Sequence, residues 1–475
     1  MTSSPGTDPA VVDCDAGRIT GRRAGALRRF LGVPYAHPPV GARRFALPEA
    51  AAPSDVDAGA FGPTPPASFV LPAPFTYPEI LGDDWLTLNV WTPAEPDGPL
   101  PVLVWFYGGS FAMGSTAQGV FDGAAFARDG VVFVSVNHRV GIEGFAHLPD
   151  APDNRGLHDL VCALEWVRRN IAAFGGDPAR VTIAGESAGA MSASALAASP
   201  HAGRLFAGAI CQSGIGLAYD AETAARPTRI AASRLGLAPT AADLRTVDPR
   251  TVGRAVAEVM AGMPPHRQAT LFTLARDADL VPESPVDVLS RGPAAVPMII
   301  GHNAAEADLW RTPGVFPPAW ADGAPDARIA EELTLLGAHE TVVHAYRERF
   351  DDDDAFVELV SDGLFCAPSL RAQRGQGRNC HAYLFTWPSP LLSRSAFHAL
   401  DLGFALDNVD DPAFARHAGP RPPRTLAAAM HGAWVRFCGA GSPGWDPYSS
   451  ESDIAVFGPA ESRDLDLLST WGTRS

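Results

Sequence analysis

The chain has 475 residues, of which 46% are hydrophobic, so it is long enough to bury a large core. Its 53 Asp and Glu residues outnumber 37 Lys and Arg residues and give a formal net charge of −16. Because no basic run or basic face offsets this charge, nucleic acid and anionic membranes are poor candidate partners.

The start of the chain and its cysteines predict a cellular location. The residues before Pro9 contain neither the basic nor the apolar part of a signal peptide, and no run of 18 apolar residues follows. The six cysteines are scattered, without a C-x-x-C motif or a histidine cluster at metal-ligand spacing, which favours reduced thiols. We therefore expect a cytoplasmic protein with no membrane span and no metal site.

The first third of the chain predicts the beginning of a sheet. Prolines and glycines exclude a helix from residues 17–48, which predict short strands and turns. Residues 62–80, rich in proline and alanine, predict an ordered surface loop. Continuous apolar runs are typical of strands covered on both faces, and three such runs follow: residues 86–91, 102–107 and 131–136. Residues 156–174 have apolar side chains at helical spacing.

Strands and helices continue to alternate in the rest of the chain. Further strands are predicted at residues 206–214, 296–301 and 381–387, and a helix at residues 426–437. Amphipathic helices, such as residues 221–235 and 251–260, predict helical insertions at about 220–290 and 310–376. Because no repeat or linker marks a detachable module, we expect residues 1–475 to form a single α/β domain around a mainly parallel sheet.

Residues 181–190 contain a candidate nucleophile. Mostly apolar residues precede a Gly-x-Ser-x-Gly motif formed by Gly185, Ser187 and Gly189, and small helix-forming residues follow. In a strand-turn-helix elbow of this kind the serine hydroxyl projects from the sheet and can attack a substrate. By itself, however, the motif is equally compatible with an ordinary turn.

A serine nucleophile requires an imidazole, and the imidazole requires a carboxylate. In α/β sheets of this type the order along the chain is serine, acid, histidine, and the last two follow later strands. Glu306 follows the strand predicted at residues 296–301, and His398 follows the strand predicted at residues 381–387. From position alone, a solvated loop carboxylate is the more ordinary interpretation of Glu306, and a structural histidine is the more ordinary interpretation of His398.

The chain contains further motifs besides the serine, acid and histidine. They begin at Gly21 and continue almost to the C-terminus. They occupy residues 30–36 with Pro38, Pro39 and Gly41, residues 83–89, 137–145, 156–159 and 174–178, and the elbow at 185–189. In this order they resemble the type-B carboxylesterases, which include bacterial nitrobenzyl esterases, liver carboxylesterases and cholinesterases. The resemblance implies an α/β-hydrolase fold: a large mixed, mainly parallel sheet with helices on both faces and helical insertions over the active site.

The resemblance also implies roles for particular residues. Glu306 stands in the family's Gly-x-Asn-x-x-Glu pattern as the triad acid, and His398 stands in its Phe-His pattern as the base. Backbone N–H groups of Gly109, Ser110 and Ala188 are implied to form the oxyanion hole. Ser110 stands where the family has Gly or Ala, so its hydroxymethyl group could narrow that hole.

Two further features depend on the resemblance. Asp401 replaces the more frequent Glu three residues after the histidine. Six residues lie near positions that line the substrate gorge in relatives, although each could equally belong to the ordinary core: Phe111, Phe272, Leu309, Trp310, Leu364 and Phe365.

We therefore expect a carboxylic ester hydrolase that acts on small to medium, largely apolar esters through a Ser-His-Glu triad and an acyl-enzyme. No metal or organic cofactor is implied, and the expected partner is a small-molecule ester. The same triad could instead serve an acyltransferase, a lactonase or an amidase. A third alternative is a catalytically silent binding protein, since fold alone does not determine function. The chain is expected to be a monomer or a homodimer.

Overall fold

A large mixed sheet organises the protein. The computed structural model describes residues 8–69, 78–263, 265–311, 336–391, 395–459, 467–468 and 470–472. In this part of the chain, twelve strands belong to the main sheet. The first five strands are β1 (Pro9–Cys14), β2 (Gly17–Ala24), β3 (Leu27–Pro34), β4 (Val56–Asp57) and β5 (Thr87–Pro93). β1, β2, β3 and β5 pair antiparallel in that order, and β4 pairs parallel to β2.

The rest of the main sheet is parallel. Its strands are β6 (Leu100–Phe106), β7 (Val132–Val136), β8 (Gly176–Glu186), β9 (Gly208–Gln212), β12 (Met298–Asn303), β13 (Cys380–Phe385) and β14 (Ala455–Phe457). Between β9 and β12, the short strands β10 (Ala218–Tyr219) and β11 (Leu274–Ala275) form a separate parallel pair, which the sequence did not predict. The spatial order of the main sheet is β1-β2-β3-β5-β7-β6-β8-β9-β12-β13-β14.

Helices cover the sheet and form the insertions. In the first part of the chain they are α1 (Ala124–Arg128), α2 (Gly141–Phe145), α3 (Arg155–Asn170) and α4 (Ala188–Ala197). The first insertion contains α5 (Ala221–Ala224), α6 (Arg226–Leu235), α7 (Ala241–Leu244), α8 (Pro249–Met260), α9 (Pro265–Thr270) and α10 (Pro285–Arg291). The remaining helices among the described residues are α11 (Glu340–Arg349), α12 (Asp352–Ser361), α13 (Ala367–Gln376), α14 (Leu402–Ala405), α15 (Ala415–Ala418) and α16 (Arg424–Ala440).

Alternate side chains of the central strands pack on opposite faces of the sheet. In β6, Val102, Val104 and Phe106 belong to one buried cluster, whereas Leu103 and Trp105 belong to another. Successive side chains of a strand point to opposite faces, so an uninterrupted apolar run requires a cover on both. The prediction of strands buried on both faces is therefore confirmed for this strand.

Three expectations need correction or fall outside the described residues. The helix predicted over residues 221–235 is two helices, α5 and α6, because Pro227 favours a new helix start over continuation of the preceding helix. Residues 62–69 of the predicted surface loop are mostly buried. Residues 70–77 of that loop and 312–335 of the second insertion lie outside the described residues. The single-domain organisation stays a prediction.

The order of the parallel strands determines where their following loops meet. β8, β9, β12 and β13 are neighbours, so the loops that follow β8, β12 and β13 lie at the same edge of the sheet. Ligands of open α/β sheets bind beyond this carboxyl edge. Within the described residues, no helix combines the length and hydropathy that crossing a bilayer would require.

Candidate active site

Ser187 lies in a strained turn between β8 and α4. Its φ of 55° and ψ of −124° are unusual for a residue with a side chain and cost about 1 to 3 kcal/mol. The flanking glycines leave the space that the turn requires. A Cβ atom at Gly185 would lie 2.4 Å from the carbonyl carbon of Gly189, and one at Gly189 would lie 2.1 Å from the carbonyl oxygen of Phe106.

Ser187, His398 and Glu306 form a continuous line of hydrogen bonds. Nε2 of His398 lies 2.9 Å from Oγ of Ser187, and Nδ1 lies 2.7 Å from Oε2 of Glu306. Because a carboxylate only accepts hydrogen bonds, Nδ1 donates to Glu306, and the imidazole has a lone pair on Nε2 when it is neutral. All three residues are buried. The structure thus brings together three predicted residues that lie far apart in the sequence.

Backbone contacts hold the acid and the imidazole in line. Glu306 follows β12, whose last residue, Asn303, donates its backbone N–H to Oε1 of Glu306 at 2.7 Å. His398 lies in the loop after β13, and its backbone N–H donates to the carbonyl oxygen of Glu306 at 3.1 Å. The side-chain amide of Asn303 also donates to the carbonyl oxygen of Phe397 at 2.7 Å. The two loops are therefore joined directly.

A second carboxylate, which was not predicted from the sequence, faces the same imidazole nitrogen. Oε1 of the buried Glu186 lies 3.2 Å from Nε2 of His398. Burial raises the pKa of the Glu186 carboxyl to about 8. Burial alone would lower the pKa of His398, but the charges of Glu186 and Glu306 outweigh it and raise that pKa to about 9. The sequence did contain a signal, since Glu186 directly precedes the nucleophile in the Gly-x-Ser-x-Gly motif.

Asp401 lies in a buried polar cluster beside the triad. Its Oδ2 accepts hydrogen bonds from Nε2 of Gln212 at 3.0 Å and from the hydroxyl of Tyr383 at 2.9 Å. Its Oδ1 accepts from Nδ2 of Asn303 at 3.4 Å, and burial raises the pKa of the carboxyl to about 6. The shorter Asp therefore links side chains of β9, β12 and β13. Gln212 and Tyr383 were not predicted, because both lie within strands that are otherwise largely apolar.

The loop after β6 faces Ser187. Gly109 and Ser110 have φ values of 118° and 53°, which turn consecutive backbone groups of this loop. Both residues line the same cavity as Ser187, as does Ala188. This loop packs closely against the serine, since a Cβ atom added at Gly108 would lie 3.1 Å from Cβ of Ser187. The three predicted oxyanion-hole residues are thus together, beside the serine.

An apolar cavity of about 740 Å³ opens in front of these residues. All six residues predicted for the substrate pocket line it: Phe111, Phe272, Leu309, Trp310, Leu364 and Phe365. The ring of Phe365 lies 4.4 Å from that of His398 between centroids, and the ring of Trp310 lies 6.4 Å away in a nearly parallel orientation. Aromatic side chains therefore flank the imidazole.

Leu364 and Phe365 reach the cavity from a π-helical turn, Asp362–Cys366, between α12 and α13. A π-turn accommodates one more residue than an α-turn and changes which side chains face inward. The hydroxyl of Tyr346 donates to Oδ2 of Asp362 at 2.5 Å, and Nε1 of Trp471 donates to that hydroxyl oxygen at 2.8 Å. This buried contact fixes the start of the turn.

The sheet and the serine elbow define the protein as an α/β-hydrolase, and solved structures confirm this fold. A structure of a PNB esterase superposes with a TM-score of 0.84 and 29% sequence identity, over 98% of this chain and 99% of that chain. The structure of a Geobacillus stearothermophilus carboxylesterase at pH 6.2 gives a TM-score of 0.81 and 30% identity, over 97% of this chain and 99% of that chain.

Sequence comparisons identify the family within this fold. The model of the carboxylesterase family matches residues 8–453. The para-nitrobenzyl esterase of Bacillus subtilis (strain 168) is 32% identical over 466 residues, which cover 93% of each chain. The phenmedipham hydrolase of Pseudarthrobacter oxydans is 32% identical over 460 residues, covering 91% of this chain and 90% of the relative. The chain belongs to the carboxylesterase family and is a serine carboxylic ester hydrolase.

Proposed function

We propose that this protein hydrolyses carboxylic esters with Ser187 as nucleophile, His398 as general base and acid, and Glu306 as the residue that orients the imidazole. The observation that carries the proposal is the contact of Nε2 of His398 with Oγ of Ser187 at 2.9 Å and of Nδ1 with Glu306 at 2.7 Å. This geometry suits proton transfer from the serine to an imidazole whose other nitrogen is held by a carboxylate.

The reaction proceeds in two halves. Oγ of Ser187 attacks the ester carbonyl carbon while its proton passes to Nε2 of His398. The tetrahedral intermediate collapses, His398 returns the proton to the departing alkoxide, and an acyl-enzyme remains. Water then gives a proton to His398, attacks the acyl carbonyl and releases the carboxylic acid as Ser187 regains its proton.

The oxyanion of each tetrahedral intermediate is proposed to accept hydrogen bonds from the backbone N–H groups of Gly109, Ser110 and Ala188. Their position on the cavity wall beside Ser187 supports this assignment. One such donor is typically worth about 3 to 4 kcal/mol of transition-state stabilisation. The hydroxymethyl group of Ser110 leaves its backbone N–H unchanged, so the replacement retains this donor.

The cavity supports a preference for small to medium, largely apolar esters. Its volume of about 740 Å³ lies in the range of small-molecule sites, and the residues around the serine are largely aromatic or aliphatic. Glu186 is an ionisable group close to the reacting atoms, and it faces His398. Short nitrophenyl esters are therefore suitable first substrates.

Replacement of the nucleophile tests the proposal. Ser187→Ala should lower kcat for short nitrophenyl esters by on the order of 10⁶-fold, and an organophosphonate should no longer label the protein covalently. Ser199→Ala is the matched control, because its hydroxyl lies just beyond α4 and donates to the carbonyl oxygen of Leu196. A Ser187→Ala protein that keeps half of the wild-type activity would disprove the assignment.

A further inference from the structure

The π-helical turn Asp362–Cys366 forms the wall of the cavity next to His398. Leu364 and Phe365 of this turn line the cavity, and the ring of Phe365 lies 4.4 Å from the imidazole of His398 between centroids. The ring of Trp310 stacks on Phe365 at 6.3 Å, with 26° between the ring planes. The position of the turn therefore determines how much space a substrate finds beside the imidazole.

Trp471 holds this turn from the side that faces away from the cavity. A Cβ atom added at Gly363 would lie 2.6 Å from Cη2 of Trp471, so the indole ring packs directly on the backbone of the turn. Nε1 of Trp471 donates to the hydroxyl oxygen of Tyr346 at 2.8 Å, and that hydroxyl donates to Oδ2 of Asp362 at 2.5 Å. Packing and hydrogen bonds thus join Trp471 to two consecutive residues of the turn.

Trp471 is close to the cavity wall without belonging to it. Among the described residues, neither Trp471 nor Tyr346 lines the cavity in front of Ser187. Trp471 is partly buried and packs against the apolar cluster that contains Leu364 and Phe365. Because protein interiors are closely packed, neighbouring groups move partly into the space that a deleted ring leaves. Removal of the indole should therefore move the turn away from the cavity.

The start of the turn has a separate connection to the triad. The backbone N–H of Ala307, directly after Glu306, donates to Oγ of Ser361 at 3.4 Å, and Ser361 is the last residue of α12 before the turn. This contact does not involve Trp471. Loss of the indole should therefore displace the part of the turn that lines the cavity while the link to the loop of Glu306 remains.

We propose that Trp471 is a positioning residue that determines which sizes of ester the protein accepts, because it holds the π-helical turn against the cavity. The proposal rests on the proposed function, since it concerns the selectivity of hydrolysis at Ser187. Trp471 acts through Leu364 and Phe365 and does not touch the substrate. When the turn withdraws, these two side chains leave more space, and bulky esters should gain relative to small ones.

Two pairs of esters test this assignment. p-Nitrophenyl acetate and p-nitrophenyl pivalate differ in the bulk of the acyl group, whereas phenyl acetate and 1-naphthyl acetate differ in the bulk of the alcohol. The readout in each pair is kcat/KM of the bulky ester divided by kcat/KM of the small ester. Since small changes in an apolar pocket commonly alter such ratios about tenfold, Trp471→Ala should raise the ratio about fivefold in at least one pair.

Trp445→Ala is the matched control. Trp445 is also partly buried, and its ring packs on those of Trp434 and Phe457 at 6.5 and 5.8 Å in a different apolar cluster. It does not line the cavity in front of Ser187. This variant should lose thermal stability but keep both wild-type ratios, because a smaller fraction of folded protein cancels in a ratio of two kcat/KM values.

Tyr346→Phe is a milder second variant. It keeps the aromatic ring and removes the hydroxyl that links Trp471 to Asp362. The same ratio should rise, by less than in Trp471→Ala. Because both changes act through one set of contacts, their effects should not multiply, and the double variant should give a ratio close to that of Trp471→Ala. If Trp471→Ala does not fold, Tyr346→Phe decides the question.

Two results would overturn the inference. Ratios that are unchanged or lower in both pairs, measured on folded variants, would show that Trp471 does not control the cavity wall. A similar rise in Trp445→Ala would show that reduced stability, and not the turn, alters the selectivity. Either result, obtained with normal hydrolysis by wild type, would leave the proposed esterase function intact. Absence of hydrolysis by wild type would instead contradict the proposed function.

Discussion

Two carboxylates, Glu186 and Glu306, flank the imidazole of His398, and together they determine when it can accept a proton. Glu306 contacts Nδ1 and Glu186 faces Nε2. Their charges hold the pKa of His398 at about 9 despite its burial. Below that pH the imidazole carries a proton and cannot act as a base, so the proposed catalysis depends on its deprotonation.

The pH profile of kcat/KM should reflect this environment. We expect activity to rise with pH through the raised pKa of His398. Glu186→Gln removes one of the flanking negative charges, so the imidazole should lose its proton more easily and the rise should move about one unit towards lower pH. The exposed Glu95, which pairs with Arg23, supplies the control Glu95→Gln. Coincident profiles of Glu186→Gln and wild type would contradict this account.

Replacement of Glu306 tests the orienting role separately from the charge at Glu186. In Glu306→Gln the amide can donate a hydrogen bond to Nδ1 and favour the tautomer that carries its proton on Nε2. That tautomer cannot accept the serine proton, so kcat should fall about 10⁴-fold. The measurement is steady-state hydrolysis of a short nitrophenyl ester, and a loss of less than tenfold would exclude Glu306 as the orienting acid.

At the scale of elements, the elbow between β8 and α4 depends on close backbone packing. The sequence predicted the strand, the turn and the helix because each has a local signature. The approach of Gly189 to β6 is a tertiary contact, however, and it leaves no space for a side chain. The strained φ of Ser187 persists because these neighbouring elements hold it.

Gly189→Ala should therefore damage both stability and activity. Its Cβ would lie 2.1 Å from the carbonyl oxygen of Phe106, so β6 or α4 must shift, and the serine with it. Gly439→Ala in α16 is the control, because its added Cβ would meet no described atom within 4 Å apart from its chain neighbours and the nearby backbone of its own helix. That change should be neutral or stabilise by up to about 1 kcal/mol. Thermal unfolding and nitrophenyl ester hydrolysis measure the two effects, and equal melting temperatures would contradict the prediction.

At the scale of the whole molecule, buried ion pairs connect loop residues to helices that cover the sheet. Arg139, just after β7, donates from Nη2 to Oδ1 of Asp159 in α3 at 2.7 Å and from Nε to Oδ2 at 2.9 Å. Both side chains are almost completely buried. A second buried pair joins Arg44 to Glu143 in α2 at 2.7 Å. These pairs hold together segments that are distant in the sequence.

Removal of one partner should destabilise the protein more than removal of both. Arg139→Met leaves the Asp159 carboxylate buried without its cation, which should lower the free energy of unfolding by about 3 to 5 kcal/mol. The double variant Arg139→Met, Asp159→Leu removes the uncompensated charge and should recover much of that loss. Urea denaturation measures both variants. A double variant less stable than Arg139→Met would show that packing, rather than charge, dominates at this position.

The sequence by itself determined those structural features that depend on local patterns of residues. The apolar runs predicted the central strands, and the glycine-flanked serine predicted the elbow. The order of Ser187, Glu306 and His398 identified residues that the structure brings within hydrogen-bonding distance, although the resemblance to a family was needed to select them. Local patterns are readable because strand alternation, helix spacing and turn residues act between near neighbours.

The tertiary structure decided which distant side chains meet. It placed Glu186 against His398 and joined Asp401 to β9, β12 and β13. None of these contacts follows from sequence spacing, because each depends on the order of strands in the sheet. Neighbours in the sequence determine a residue's backbone conformation, whereas the strand register of the whole sheet determines which distant residues it contacts.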